Sequence, residues 1–117
     1  MNFLRFNDAL RAAITRNLTS LVAASSQAQG QTQGLKRAAV CLILTDDGEG
    51  GAALVLTRRA ERLSTHSGQY ALPGGRMDTG ESPAEAALRE AREEIGIELA
   101  PESILGRLDD YPTRSGY

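Results

Sequence analysis

Leu10, Ile14, Leu18, Leu21 and Val22 recur three and four positions apart, the spacing of one face of a helix. Asn7 stands ahead of them as a capping residue, so a first helix is predicted from Asn7 to about Ala24. The following "SSQAQGQTQG" (25–34) is polar and aperiodic and reads as a linker. Two short apolar runs come next, "RAAVCLIL" (37–44) and "AALVLTRR" (52–59), the first rich in strand formers. The "TDDGEGG" between them supplies turn residues, which predicts a β-hairpin with a seven-residue loop.

Residues 60–80 keep no clean period and hold Gly68, Pro73, Gly74, Gly75 and Gly80, so they are predicted as a loop with a short strand at "QYAL". A second helix is better marked. Ser82 can cap it, Pro83 takes the first helical position, Glu85 completes a capping box, and Gly96 follows as the C-terminal cap. "IEL" and "ILGRLDDY" read as further strands. The order is that of an α/β or α+β domain with a mixed sheet. The chain divides into an N-terminal helix and linker, 1–34, and a domain from 35 to 117. Little follows the second helix, so one face or edge of the sheet is expected to stay open. The chain is therefore expected to be the first part of a domain, or to be completed by a partner.

A chain of 117 residues with 41% hydrophobic and 24% charged residues has the composition of one soluble globular domain. The net charge of −2 argues against a general nucleic-acid binder, and no apolar run reaches the length of a membrane span. Charge is uneven: residues 1–37 carry Arg5, Arg11, Arg16, Lys36 and Arg37 against Asp8 alone, while 78–98 hold seven acids. The basic, acid-poor start suits an organelle transit peptide as well as a first helix. The apolar spacing favours the helix, and the expected location is the cytoplasm. Cys41, the only cysteine, reads as a small core residue in a reducing compartment.

The second helix poses the chemical question. At about 100° per residue, Glu93 and Glu94 fall on either side of Glu90 and share its face. Like charges so placed repel by roughly 0.2–0.5 kcal/mol per pair. Ala84, Ala87, Leu88, Ala91 and Ile95 form an apolar stripe beside them, and Ala86, within the acidic arc, is expected to leave room for a ligand. A solvated acidic face relieved by Arg89 and Arg92 is the plain reading of such a helix. The alternative is a hard divalent cation, Mg²⁺ or Mn²⁺, which takes oxygen ligands and shares them with substrate phosphates. Arg89 can fix a neighbouring carboxylate bidentately.

The spacing decides between the two. Gly75, Glu81, Arg89, Glu90, Glu93, Glu94, Gly96 and Ile97 fall in the register of the Nudix box, which residues 75–97 resemble. Ala91 departs from it where the pattern prefers a larger aliphatic residue. The resemblance implies an α/β/α sandwich, a divalent-cation requirement and hydrolysis of nucleoside diphosphates linked to another moiety. It implies Glu90 and Glu94 as principal metal ligands, Glu93 as a further ligand or activator of water, and Gly75 as a carbonyl ligand. Arg89 and Glu81 would orient the loop and helix. Asp109 and Asp110 are the candidates beyond the box for a further ligand, with no spacing to recommend them.

Upstream, "LTRRAERLSTHSGQYALPGG" (56–75) resembles the coenzyme A pyrophosphatase branch at Leu56, Thr57, Arg59, Ala60, Leu63, His66, Gly68, Gln69, Pro73, Gly74 and Gly75. Ser64 and Leu72 depart from it. Arg59 and His66 are the expected substrate contacts, Arg58, Arg59 and Arg62 a basic cluster suited to phosphate. Tyr70 reads as packing, with base stacking as the alternative. The implied reaction splits coenzyme A into 3′,5′-ADP and 4′-phosphopantetheine. ADP-ribose or another nucleotide sugar, and nucleotide binding without hydrolysis, are the alternatives. Family members are often dimers, which leaves a homodimer open.

Overall fold

The computed structural model describes residues 4–22, 36–58 and 68–112. The first helix, α1 (Asp8–Val22), begins where the Asn7 side chain accepts the Leu10 N–H at 2.9 Å. Leu10, Ile14 and Leu18 on its apolar face are half-buried, and Leu18 lies against Gly106, where a Cβ would come within 2.7 Å of it. The linker expected at 25–34 lies outside the described residues.

The predicted hairpin divides between several partners. Run 37–44 contains two strands, β1 (Ala38–Val40) and β2 (Leu44–Asp46); run 52–59 contains β3 (Ala52–Leu54) and β4 (Thr57–Arg58). β2 pairs with β3 as expected, Leu44 opposite Leu54, through a connection over 47–51. That turn is organised by its acids: Asp46 Oδ1 accepts from Gly48 and Gly50, and Asp47 Oδ1 from Glu49 and Gly51. Residues 4–6 lie beside it, with Ala52 N–H donating to the Leu4 carbonyl and Phe6 N–H to that of Gly50.

β4 pairs instead with β5 (Tyr70–Ala71), and β1 with β6 (Gly74–Arg76), all three described ladders being antiparallel. β6 arises in a stretch predicted as loop, from residues with poor strand propensity. Its reason is steric: a Cβ at Gly74 would run into the Ala39 carbonyl, so glycine lets the two backbones close together. Cys41 N–H donating to the Pro73 carbonyl extends this contact.

The second helix, α2 (Pro83–Ile95), packs on β1 and β6. Ser82 Oγ accepts the Glu85 N–H and Glu85 returns the bond to the Ser82 N–H, both at 3.1 Å. Gly96 closes it at φ 69°, its N–H on the Arg92 carbonyl. The core between helix and sheet is made of Ala39, Ile43, Pro73, Ala86 and Ala91, and Cys41 Sγ reaches the Ala87 carbonyl at 3.2 Å from a half-buried position. Along the chain one helix precedes the strands and another follows them, the elements of the expected α/β/α sandwich. The strands predicted at "IEL" and "ILGRLDDY" are absent: one turn of 3-10 helix, Pro101–Ser103, stands between irregular segments that gain no ladder partner among the described residues. Among the described residues no helix is long and apolar enough to cross a membrane.

Candidate functional site

Gly75 and Glu90 meet at the seam between β6 and α2. A Cβ at Gly75 would lie 2.6 Å from both the carboxyl carbon and Oε1 of Glu90. Glycine therefore clears the space into which that carboxylate is drawn. The helix accordingly turns Glu90 and Ala86 toward the sheet, more than its apolar stripe suggested, while Glu93 and Glu94 stay exposed. Ala86 and Ala91 are fully buried, whereas Ala84 is exposed. Ala86 therefore leaves no room for a ligand, because the sheet itself fills the space in front of it.

Arg89 organises the surroundings. Nε and Nη2 bind the Glu81 carboxylate bidentately at 2.7 and 3.0 Å, Nη2 also reaches the Arg76 carbonyl at 3.0 Å, and Nη1 donates to Glu90 Oε1 at 3.0 Å and Glu93 Oε2 at 3.1 Å. Asp78 adds an ion pair at 3.4 Å. Arg89 and Glu90 are 19% and 17% exposed, Glu93 53%, so the network runs from half-buried to solvent. The hydrogen bonds from Arg89 and then from the Asp78 N–H hold the Glu81 carboxyl at about 2, well below its usual value. Glu81, chiefly, raises the Arg89 pKa in return.

Glu94 lies on the exposed side of α2, one turn beyond Glu90. Among the described residues, no three His, Cys, Asp or Glu side chains are gathered closely enough to hold an ion by themselves. The donors at the seam are nevertheless oxygens alone, two carboxylates beside a glycine backbone, which is the open set that Mg²⁺ or Mn²⁺ completes with water and phosphate oxygens. The residues present fit the group.

These residues stand in the register of the Nudix signature, and a family profile described as the NUDIX domain matches residues 34–117. The chain belongs to the Nudix family. It is 38% identical over 77 residues to Nudix hydrolase 15, mitochondrial, of Arabidopsis thaliana (65% of this chain, 27% of that protein). Over 93 residues it is 37% identical to Nudix hydrolase 3 of Caenorhabditis elegans (80% and 39%). It is also 46% identical over 65 residues to the uncharacterized Nudix hydrolase NudL of Yersinia pestis (55% and 33%). The crystal structure of a MutT/nudix family protein from Enterococcus faecalis shares the fold, with TM-score 0.52 at 22% identity over 82% of this chain and 38% of that one. The chain spans between 27% and 39% of the length of the curated Nudix relatives named here.

The remaining sequence-derived candidates fare differently. Arg59 and His66, with Arg62, lie outside the described residues. Arg58 is on β4, its Nε 3.4 Å from the Gly68 carbonyl. Tyr70, across the ladder from Arg58, is 69% exposed, so it is not packing. Asp110 bridges Arg37 at 3.3 Å and Arg107 at 2.7 Å and so ties the 104–112 segment to the start of β1. The Arg76 carbonyl and the Asp78 N–H are structural partners that the sequence reading did not single out. Backbone groups leave no side-chain signature to find.

Proposed function

We propose that this chain carries the metal- and diphosphate-binding part of a Nudix hydrolase, splitting a diphosphate linkage in a nucleoside diphosphate derivative with Mg²⁺ or Mn²⁺. The observation that carries this reading is the Glu90 carboxylate lodged against Gly75 and held by an arginine that also grips Glu81 and Glu93. A cation bound there supplies water activation and neutralises charge on the phosphates. Glu90 and Glu94 are its proposed principal ligands with the Gly75 carbonyl. Glu93 adds a ligand or takes the proton of the attacking water. Arg89 is a positioning residue: it orients Glu90 and Glu93 through fixed hydrogen bonds and is itself braced by Glu81.

Coenzyme A is the proposed substrate, on the match of residues 56–75 to that branch. Arg59 and His66 are assigned to the substrate on the same ground. The domain from 35 to 117 and a cytoplasmic location belong to the same proposal. Incubating the purified chain with Mg²⁺ or Mn²⁺ and, separately, coenzyme A, ADP-ribose and a nucleoside triphosphate tests it by chromatography of the products. Release of 3′,5′-ADP from coenzyme A is expected; cleavage of ADP-ribose alone would move the assignment to nucleotide sugars. Metal-dependent binding with no product from any of them would make this a nucleotide-binding module. The Glu94→Gln variant should keep wild-type circular dichroism and lose turnover, and full activity in that variant would remove Glu94 from the metal site.

A further inference from the structure

Four carboxylates surround the Arg89 guanidinium among the described residues, and they fall on two sides of it. Nη1 carries the bonds to Glu90 and Glu93, acids proposed for the cation. Nε and Nη2 face the loop before α2, where Glu81, the Arg76 carbonyl and Asp78 stand. A guanidinium and a hard divalent cation compete for the same oxygens. A cation entering at Glu90 must draw that carboxylate, and Glu93 with it, away from Nη1. How readily Arg89 yields them depends on what holds its other side.

Asp78 divides its work between backbone and side chain. Its backbone serves the turn: the N–H donates to Glu81 Oε1 at 2.9 Å, and the carbonyl accepts the Glu81 N–H at 3.1 Å. Its side chain, 71% exposed, stands 3.4 Å from Arg89 Nε. The turn keeps its bonds without that carboxylate, so the charge has Arg89 as its partner. We propose that Asp78 is a positioning residue for the cation site. Its carboxylate draws the Arg89 guanidinium towards the loop, and so eases the release of Glu90 and Glu93 to the metal. It touches neither substrate nor reacting atoms. The inference rests on the proposed metal-dependent hydrolysis and adds to it a group that tunes metal affinity. An exposed ion pair is weak and screened by salt, so the effect is about threefold in that affinity.

Electron paramagnetic resonance of free Mn²⁺, titrated into the whole chain without substrate, tests it. Asp78→Asn should keep wild-type circular dichroism and bind Mn²⁺ about threefold more weakly. With coenzyme A, or ADP-ribose if that is what is cleaved, the Mg²⁺ concentration for half-maximal turnover should rise by about the same factor. That loss should be recovered at saturating Mg²⁺; a kcat lowered at every Mg²⁺ concentration would make Asp78 a support of the fold and overturn the assignment. In the 15N-labelled chain without metal, the Arg89 Nε–H resonance should move in Asp78→Asn, and an unmoved resonance would overturn it too. An Arg89→Gln background separates positioning from the field of one lost charge. There Asp78→Asn should weaken Mn²⁺ binding no further, whereas the same threefold loss would reduce Asp78 to a diffuse surface charge. If Asp78→Asn does not fold, Asp78→Ser, which also keeps the backbone bonds, is measured in the same way. A wild-type chain that takes up no Mn²⁺ removes the metal reading and this inference with it. Firm Mn²⁺ binding, equal in wild type and variant, overturns this inference and leaves the metal reading standing.

Discussion

Arg89 has five N–H groups and five acceptors facing them: two oxygens of Glu81, one each of Glu90 and Glu93, and the Arg76 carbonyl. A planar fork can satisfy such a set; a lysine ammonium, with three donors at one point, cannot. The like charges of α2 are thus tolerated in part because a guanidinium stands among them. The Glu81 carboxyl, held at about 2 by Arg89, makes the stability of this loop depend on pH. Its folded value is below the unfolded value of about 4.3, so the stabilisation is complete above that value. It is lost as pH falls towards 2. Acid titration of urea unfolding midpoints should show this loss in the wild type and a flatter profile in Glu81→Gln, which is less stable at neutral pH. At Gly75 the expected outcome separates site from fold. Gly75→Ala pushes the Glu90 carboxylate aside, the far end of a flexible side chain, and leaves the backbone alone. Its melting temperature should stay close to wild type while turnover falls about 100-fold, the scale of an ångström-sized misplacement; wild-type kcat would show that Glu90 need not lie where Gly75 admits it.

At the scale of elements, α2 was legible from its ends. Ser82, Pro83, Glu85 and Gly96 each perform the capping role their identities suggest, because capping depends on neighbours three or four residues away. Removing the cap with Ser82→Ala should cost about 1 kcal/mol in urea denaturation, with little effect at the distant hairpin. The strands were less legible. The run 37–44 looks continuous, yet β1 joins β6 and β2 joins β3, and apolar pattern alone carries no partner identity. β6 went unseen because glycine, which disfavours strands in general, is what allows this one to pack. Apolar content suggested strands at 97–99 and 104–111, but no described neighbour offers them a ladder.

At the scale of the whole molecule, one face of the sheet has a helix and a core, and the other shows five aliphatic side chains to water. The family was legible in residue spacing alone: Gly75, Glu81, Arg89, Glu90, Glu93 and Glu94 are recognisable in register because one helix and its preceding loop carry them all. Tertiary structure decided what depends on distant backbone. It put the Glu90 carboxylate against Gly75, buried Ala86 where a ligand had been expected, and engaged Asp110 with Arg37. Local order along the chain dictates caps and motif, whereas contacts between segments tens of residues apart arise only when backbones close to within a side chain's width.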